Sequence, residues 1–254
     1  MSRRREELVI TVYAPGLESG DTRPVAVVRG MERAFPGLNL DWSVSESNQL
    51  IFLQQRDAWV MQPQDPDEGF PLVCNGDETY PITLSGQNTP AGRLTPTRQS
   101  QFTVHAALPL DERAFAAAAD VLEALAEQAH AQWGLAAPGP TLRVAAEQVC
   151  HSPRQPARPP HGLPVIKMPW ELRSPDVPHS LGWLNYWSAA AARLIGFPDH
   201  PRDAELLSRS RRTPTGGWIV RLTDAPLDLG NPTHIQALLN AYARFPEIGG
   251  RASP

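Results

Sequence analysis

The segment from Leu181 to Ile195 constrains the fold of this chain more than any other part of it. Its sequence, LGWLNYWSAAAARLI, is apolar nearly all round, and it follows Ser180, a residue type that often caps helices. Gly196 and Pro198 come directly after it, where a helix would stop. The pattern therefore predicts a helix over residues 181–195 that is buried on most of its sides.

The remainder of the C-terminal region carries equally clear signals of regular structure. Trp218–Leu222 alternates as a half-buried strand does, and it follows a Gly-Gly turn. Asn231 is a good helix cap, and Pro232 fits the first position of the helix that follows. We therefore predict a strand near residue 220 and a last helix that ends at Phe245.

Further elements are predicted along the N-terminal part of the chain. A helix is predicted from Thr22 to Phe35, and a longer one from Asp111 to Trp133 with Gly134 as its C-terminal cap. Residues 85–101 are rich in Gly, Pro and Thr, which predicts a loop. The predicted strands are Leu8–Tyr13, Leu38–Val44, Leu50–Leu53, Phe70–Cys74, Tyr80–Leu84, Phe102–Ala106 and Leu142–Val149.

The order of these elements predicts an α+β fold with a mostly antiparallel sheet, helices packed on one side and long Pro-rich loops. The chain contains 27 prolines in 254 residues, about twice the usual share of roughly 5%. Prolines dominate residues 151–164, so this segment cannot be regular structure. The chain is thus expected to form one domain over residues 1–254, or two lobes joined by a strap at 151–164.

The charge of the chain limits its partners. A formal net charge of −4 argues against broad nucleic-acid binding, which usually needs a basic surface. No apolar run reaches the roughly 18 residues that a membrane-spanning helix needs, and no signal-type apolar stretch follows the N-terminal arginines. We therefore expect a cytoplasmic protein that binds neither nucleic acid nor membranes.

The sequence contains no recognisable catalytic or metal-binding motif. The seven histidines show no HxH or HExxH spacing, and the glycine pairs lack the spacing of a phosphate loop. Cys74 and Cys150 are expected to be free thiols, Cys74 buried at a strand end. The expectation is a protein without a cofactor and without catalytic residues. The alternative is a hydrolase or transferase with a site assembled from scattered groups such as Cys74, His105 and Asp77.

Two short acidic clusters stand out in predicted loops. Asp65, Asp67 and Glu68 form the first cluster, and Asp77 and Glu78 form the second. Paired carboxylates serve acid–base chemistry or Mg²⁺ binding in some proteins and are solvated loop charges in many others. A third interpretation is a partner-binding acidic face, and these five residues are our candidates for it.

The C-terminal sequence resembles a known family. The segments LGWLNYWS, IGFPD, GGWIVRLTDAPLD and NPTHIQALLNAYARFPEIGGR are similar to the immunity protein 52 family and to myxobacterial-type relatives of unassigned function. ERAFPGL and the QWG at residues 132–134 fit the same resemblance. The resemblance implies a protein that binds and neutralises a cognate polymorphic toxin, often a nuclease, by direct contact. It implies no catalytic residues, a protein toxin as partner, and a monomer or weak dimer.

Overall fold

One continuous sheet organises the computed structural model, which describes residues 6–62, 69–93, 95–149 and 159–252. Ten strands pair in the order β3-β2-β4-β5-β6-β1-β7-β8-β10-β9, and every pairing between them is antiparallel. With seven α-helices in the described residues, this confirms the predicted α+β fold class and its antiparallel sheet. None of the described helices is long and apolar enough to cross a membrane.

The bounds of the elements are as follows. The strands are β1 Glu7–Pro15, β2 Trp42–Val44, β3 Leu50–Phe52, β4 Phe70–Cys74, β5 Thr83–Thr89, β6 Gln101–Pro109, β7 Trp133–Pro138, β8 Leu184–Trp187, β9 Arg211–Arg212 and β10 Trp218–Arg221. The helices are α1 Arg23–Ala34, α2 Arg56–Val60, α3 Glu112–Ala129, α4 Gly139–Glu147, α5 Ala189–Leu194, α6 Ala204–Ser208 and α7 Pro232–Arg244.

The main core lies between the sheet and the pair of helices α1 and α3. Leu8, Ile10 and Val12 alternate along β1 and are fully buried, as expected for residues that share one face of a strand. They belong to the same apolar cluster as the buried stripe of α3. The opposite face is covered at β7, where Leu142 of α4 packs against a smaller cluster of strand residues.

The long helix α3 ends earlier than the sequence predicts. His130 takes a left-handed conformation (φ 53°) and closes the helix, so Gly134 is not its cap. Gly134 lies instead in β7, where a Cβ atom would come within 2.9 Å of the Thr11 carbonyl oxygen. This glycine is therefore needed for close contact between β7 and β1.

The predicted strand Leu142–Val149 is wrong, because these residues form most of helix α4. Pro140 occupies the first turn of this helix, where a missing N–H costs nothing. A short apolar run does not distinguish a strand from a helix by its periodicity alone. Helix α4 has no side-chain cap, and the packing of Leu142 against β7 favours the helix here.

The predicted helix 181–195 is also wrong in its first half. Residues 184–187 form strand β8, and only Ala189–Leu194 is helical. Before the strand, Gly182 N–H donates to Asn185 Oδ1 at 2.9 Å and Asn185 Nδ2 donates back to the Gly182 carbonyl at 3.1 Å. β8 is buried on both faces between β7 and β10. A strand buried on both faces carries apolar residues on both, and only Asn185 interrupts them in β8. This explains the helix-like pattern.

The N-terminal cap of α5 is Ser188, and its contribution to stability can be tested. Ser188 accepts a hydrogen bond from Ala191 N–H at 3.1 Å and so begins α5, whereas the side chain of Thr22 makes no capping bond to α1. We expect Ser188→Ala to lower the free energy of unfolding by about 1 kcal/mol, and Thr22→Ala by only a few tenths. Urea unfolding of both variants measures the difference. Equal effects would contradict the assignment of Ser188 as the cap.

Candidate partner-binding surface

The hairpin formed by β2 and β3 stands at one edge of the sheet. Trp42 pairs with Phe52 and Val44 pairs with Leu50, and β3 has no strand on its outer side among the described residues. Leu53 N–H donates to the Asp41 carbonyl at one end of the pairing. The other neighbour of β2 is β4, so the hairpin continues the sheet directly.

Four apolar side chains on this hairpin are exposed. The exposed fractions are 40% for Val44, 37% for Leu50, 47% for Ile51 and 55% for Phe52. Trp42 lies beside Phe52, with ring centroids 5.2 Å apart in an edge-on contact. Trp42, Val44, Leu50 and Phe52 share one face of the hairpin, and Ile51 lies on the other face. A contiguous group of exposed apolar residues is typical of an interaction site. We call these five residues the β3 edge surface.

The loop at residues 75–82 packs against this surface and is held in one conformation. Asn75 Nδ2 donates to the Tyr80 carbonyl at 2.9 Å, and Asn75 Oδ1 accepts from Ile82 N–H at 3.0 Å. Asp77 Oδ1 accepts from Thr79 N–H at 2.8 Å. At Gly76 (φ 70°) a Cβ would lie 2.6 Å from the Trp42 ring, so glycine is required for this contact.

Tyr80 ties the same loop to the start of α3. Its hydroxyl donates to Asp111 Oδ1 at 3.0 Å, and Asp111 also caps α3 by accepting from Ala114 N–H. Burial and the neighbouring Asp111 carboxylate raise the pKa of Tyr80 to about 12. The guanidinium of Arg113 lies 5.2 Å from the centre of the Tyr80 ring. The loop is therefore positioned before any partner arrives.

The surroundings of the β3 edge surface are acidic. Residues 41–55 and 75–82 contain four carboxylates and no lysine, arginine or histidine. These carboxylates, which we call the acidic rim, are Asp41, Glu46, Asp77 and Glu78. Asp77, Glu78 and Glu46 are exposed. A groove of about 480 Å³ runs beside Phe52 and is lined also by Asp41, Arg56 and Asp57. Arg56 forms ion pairs with both carboxylates, so the groove itself carries little net charge. The surface thus combines apolar side chains with negative charge that comes from Glu46, Asp77 and Glu78.

The other edge of the sheet differs. It is formed by β9, whose two residues are both arginine and both exposed. Arg211 is paired with Asp120 at 2.5 Å and with Glu123 at 2.9 Å, both on α3. Charged residues at a sheet edge discourage the addition of a further strand. The β3 edge carries no such protection in its strand residues.

The predicted site residues divide into two groups. Asp77 and Glu78 lie in the loop that packs against Trp42, and so belong to the acidic rim. Asp65, Asp67 and Glu68 lie outside the described residues. The sequence missed the exposed apolar residues of the hairpin. The segment Leu50–Leu53 does predict a strand, but an apolar strand pattern does not show that the strand is at an edge.

The loop predicted for residues 85–101 begins later than expected. β5 spans Thr83–Thr89, whereas the sequence predicts a strand that ends at Leu84. Gly86 and the polar side chains of Gln87 and Asn88 hide the strand, because such residues are typical of loops. Their pairing with β6 supplies the missing stability.

Cys74 and His105, two of the groups named for an enzymatic site, do not come together. Cys74 is a free, buried thiol at the end of β4, and Cys150 lies outside the described residues. β5 separates Cys74 from His105 on β6, which places them about 10 Å apart or more. His105 Nδ1 lies 3.1 Å from Thr11 Oγ1, and desolvation lowers the pKa of His105. The described residues include no group of three or more His, Cys, Asp or Glu that could hold a metal ion.

The fold and this surface define an α+β protein with a single antiparallel sheet and one exposed apolar edge. The chain belongs to the family described as Domain of unknown function (DUF5953), whose model matches residues 19–253. No curated protein matches the chain. Among solved structures, the chain is similar to the Pseudomonas aeruginosa T6SS protein PA0821, with a TM-score of 0.54 and 16% identity. The alignment covers 94% of this chain and 73% of that protein, and it shows a shared fold.

Proposed function

We propose that this chain is an immunity protein that binds and neutralises a cognate toxin by direct protein–protein contact. The observation that carries the proposal is the β3 edge surface, an exposed apolar patch beside a fixed acidic loop. Apolar anchors surrounded by polar residues are the usual composition of a protein interface. The fold shared with a T6SS protein and the resemblance to the immunity protein 52 family support the same proposal.

The charge of the acidic rim indicates the chemistry of the toxin. A carboxylate-rich surface attracts a basic protein surface and accelerates association with it. Toxins that act on nucleic acids need basic residues around their substrate groove, so a nuclease toxin would fit this rim. Because the loop is held by Asn75 and Tyr80, little conformational entropy would be lost there on binding.

The proposal predicts binding to the product of the reading frame beside this one. Co-expression of the two proteins should protect cells from that product, and the two should purify together. Glu46→Arg with Glu78→Arg should weaken the complex by about tenfold or more and reduce its salt dependence, because two favourable charges become unfavourable. Asp77 is left unchanged because its side chain holds the loop. Biolayer interferometry at several salt concentrations measures both effects.

A matched control is available elsewhere on the surface. Glu147→Arg with Asp224→Arg makes the same change in net charge at two exposed positions outside the rim. This control should leave affinity nearly unchanged. If neither protection nor co-purification is seen, the proposed function is wrong. If the complex forms but both double variants bind like the unaltered protein, the function stands and the assignment of the rim is wrong.

A further inference from the structure

We infer that the partner adds a strand to the free edge of β3, as an extended segment that carries both apolar and basic side chains. This inference rests on the proposed function and specifies the geometry of that interface. Strand addition uses main-chain hydrogen bonds for affinity and alternate side chains for specificity. The β3 edge provides both outward main-chain groups and a row of exposed side chains.

The main-chain groups at the edge are set by the pairing of β3 with β2. Leu53 N–H donates to the Asp41 main-chain carbonyl at one end of the hairpin. Ser45 N–H donates to the Gln49 main-chain carbonyl at the other end. Hydrogen-bonded and non-hydrogen-bonded pairs alternate in antiparallel strands. Leu50 and Phe52 therefore occupy non-hydrogen-bonded pairs with β2. Their N–H and C=O groups point outward, where they can bond to an added strand.

The side chains of the same residues offer an apolar face. Trp42, Val44, Leu50 and Phe52 occupy the two cross-strand pairs on one face of the hairpin, because alternate residues share a face. Val44, Leu50 and Phe52 are each more than a third exposed. An added strand would place every second side chain beside this group. Alternate apolar residues in the partner would bury it.

Charge selects a basic partner over a second copy of this chain. Two copies joined at β3 would bring two acidic rims close together, and like charges across an interface are unfavourable. A partner segment with lysine or arginine would instead face Asp77, Glu78 and Glu46, which are exposed. The arginine-rich β9 strand shows that the other edge of this sheet has the usual protection against pairing.

A proline at residue 52 tests the main-chain contact. Phe52→Pro removes the outward N–H and leaves the β2–β3 bonds intact, and Ile51 is extended, as the residue before a proline prefers. Phe52→Ala is the matched control, since it removes the side chain alone. We expect Phe52→Pro to bind the adjacent reading frame's product about tenfold more weakly than Phe52→Ala, because a bond is lost and the ring obstructs a paired strand.

Hydrogen exchange of the unaltered protein provides a second measurement that needs no variant. On complex formation the amides of Leu50 and Phe52 should become protected, while the Ile51 amide, already bonded within the hairpin, should change little. Equal binding by the proline and alanine variants, or no protection of these two amides, would overturn strand addition while leaving the immunity function in place. If the unaltered chain forms a dimer and Phe52→Pro abolishes that dimer, the edge serves self-association. This result would also overturn strand addition by a partner. Failure of the unaltered protein to bind that product would remove both proposals.

Discussion

Replacing Trp187 by alanine should lower the free energy of unfolding by about 4 kcal/mol, in the range found for large aromatic residues removed from a core. Trp187 is fully buried on β8. Its ring centre lies 5.1 Å from that of Phe197 and 5.1 Å from that of Phe245, both in edge-on contacts. The alanine variant would leave a cavity between the sheet, α5 and α7. Guanidinium unfolding followed by circular dichroism measures the loss.

Two comparisons separate this effect from a general effect of tryptophan removal. Trp170 is 40% exposed, so Trp170→Ala should cost about 0.5 kcal/mol or less. The Nε1 of Trp187 has no hydrogen-bond partner in the described residues, whereas Trp183 Nε1 donates to the Thr223 carbonyl at 2.8 Å. Trp187→Phe should therefore cost about 1 kcal/mol less than Trp183→Phe. Equal costs would contradict this account of the two indoles.

Where the sequence predicted elements correctly, local signals were sufficient. Asp111 at the start of α3 and Asn231 at the start of α7 both accept capping hydrogen bonds, as their residue types suggest. The strands predicted at Leu8–Tyr13 and Phe102–Ala106 also lie within β1 and β6. Each of these features depends on neighbours a few residues away. They can therefore be inferred without knowledge of the topology.

The errors occur where distant segments decide the structure. Residues 184–187 are a strand because β7 and β10 pair with them on either side. Tyr186 donates to Glu127 of α3, while Trp187 contacts Phe245 just after α7, so both faces of β8 are buried. An isolated sequence with that many apolar residues suits a buried helix equally well. Only the pairing partners remove the ambiguity.

Only part of the candidate surface can be predicted from the sequence, because the rest depends on pairing between distant segments. Asp77 and Glu78 could be named as candidates because acidic residues beside an Asn-Gly turn indicate an exposed loop. The structure shows both residues exposed, and their role in partner binding stays a prediction. The exposed apolar residues Leu50, Ile51 and Phe52 resemble any short buried strand in sequence. Their exposure follows from the strand order, which leaves β3 at the edge. That order is set by pairing between β2 and β4, which are far apart along the chain.

The second large effect is expected at a buried ion pair in the C-terminal region. The side chain of Asp203 is fully buried and accepts from Arg244 Nε at 2.7 Å and from Arg244 Nη2 at 3.0 Å. It also accepts from Asp199 N–H at 2.7 Å, and Arg244 donates to the Gly196 carbonyl. The pair therefore joins α6, α7 and the turn at residues 196–199.

Asp203→Ala should lower the free energy of unfolding by about 3 kcal/mol, because loss of one partner leaves the other charge partly buried and unpaired. Arg244 is 22% exposed and keeps its bond to Gly196, which places the cost at the lower end of the usual range. Asp203→Asn keeps the shape and should cost less. The exposed pair of Arg202 with Asp199 offers the control: Arg202→Ala should cost about 0.5 kcal/mol or less. Similar losses for Asp203→Ala and Arg202→Ala in urea unfolding would show that burial of the Asp203 pair contributes nothing to its effect.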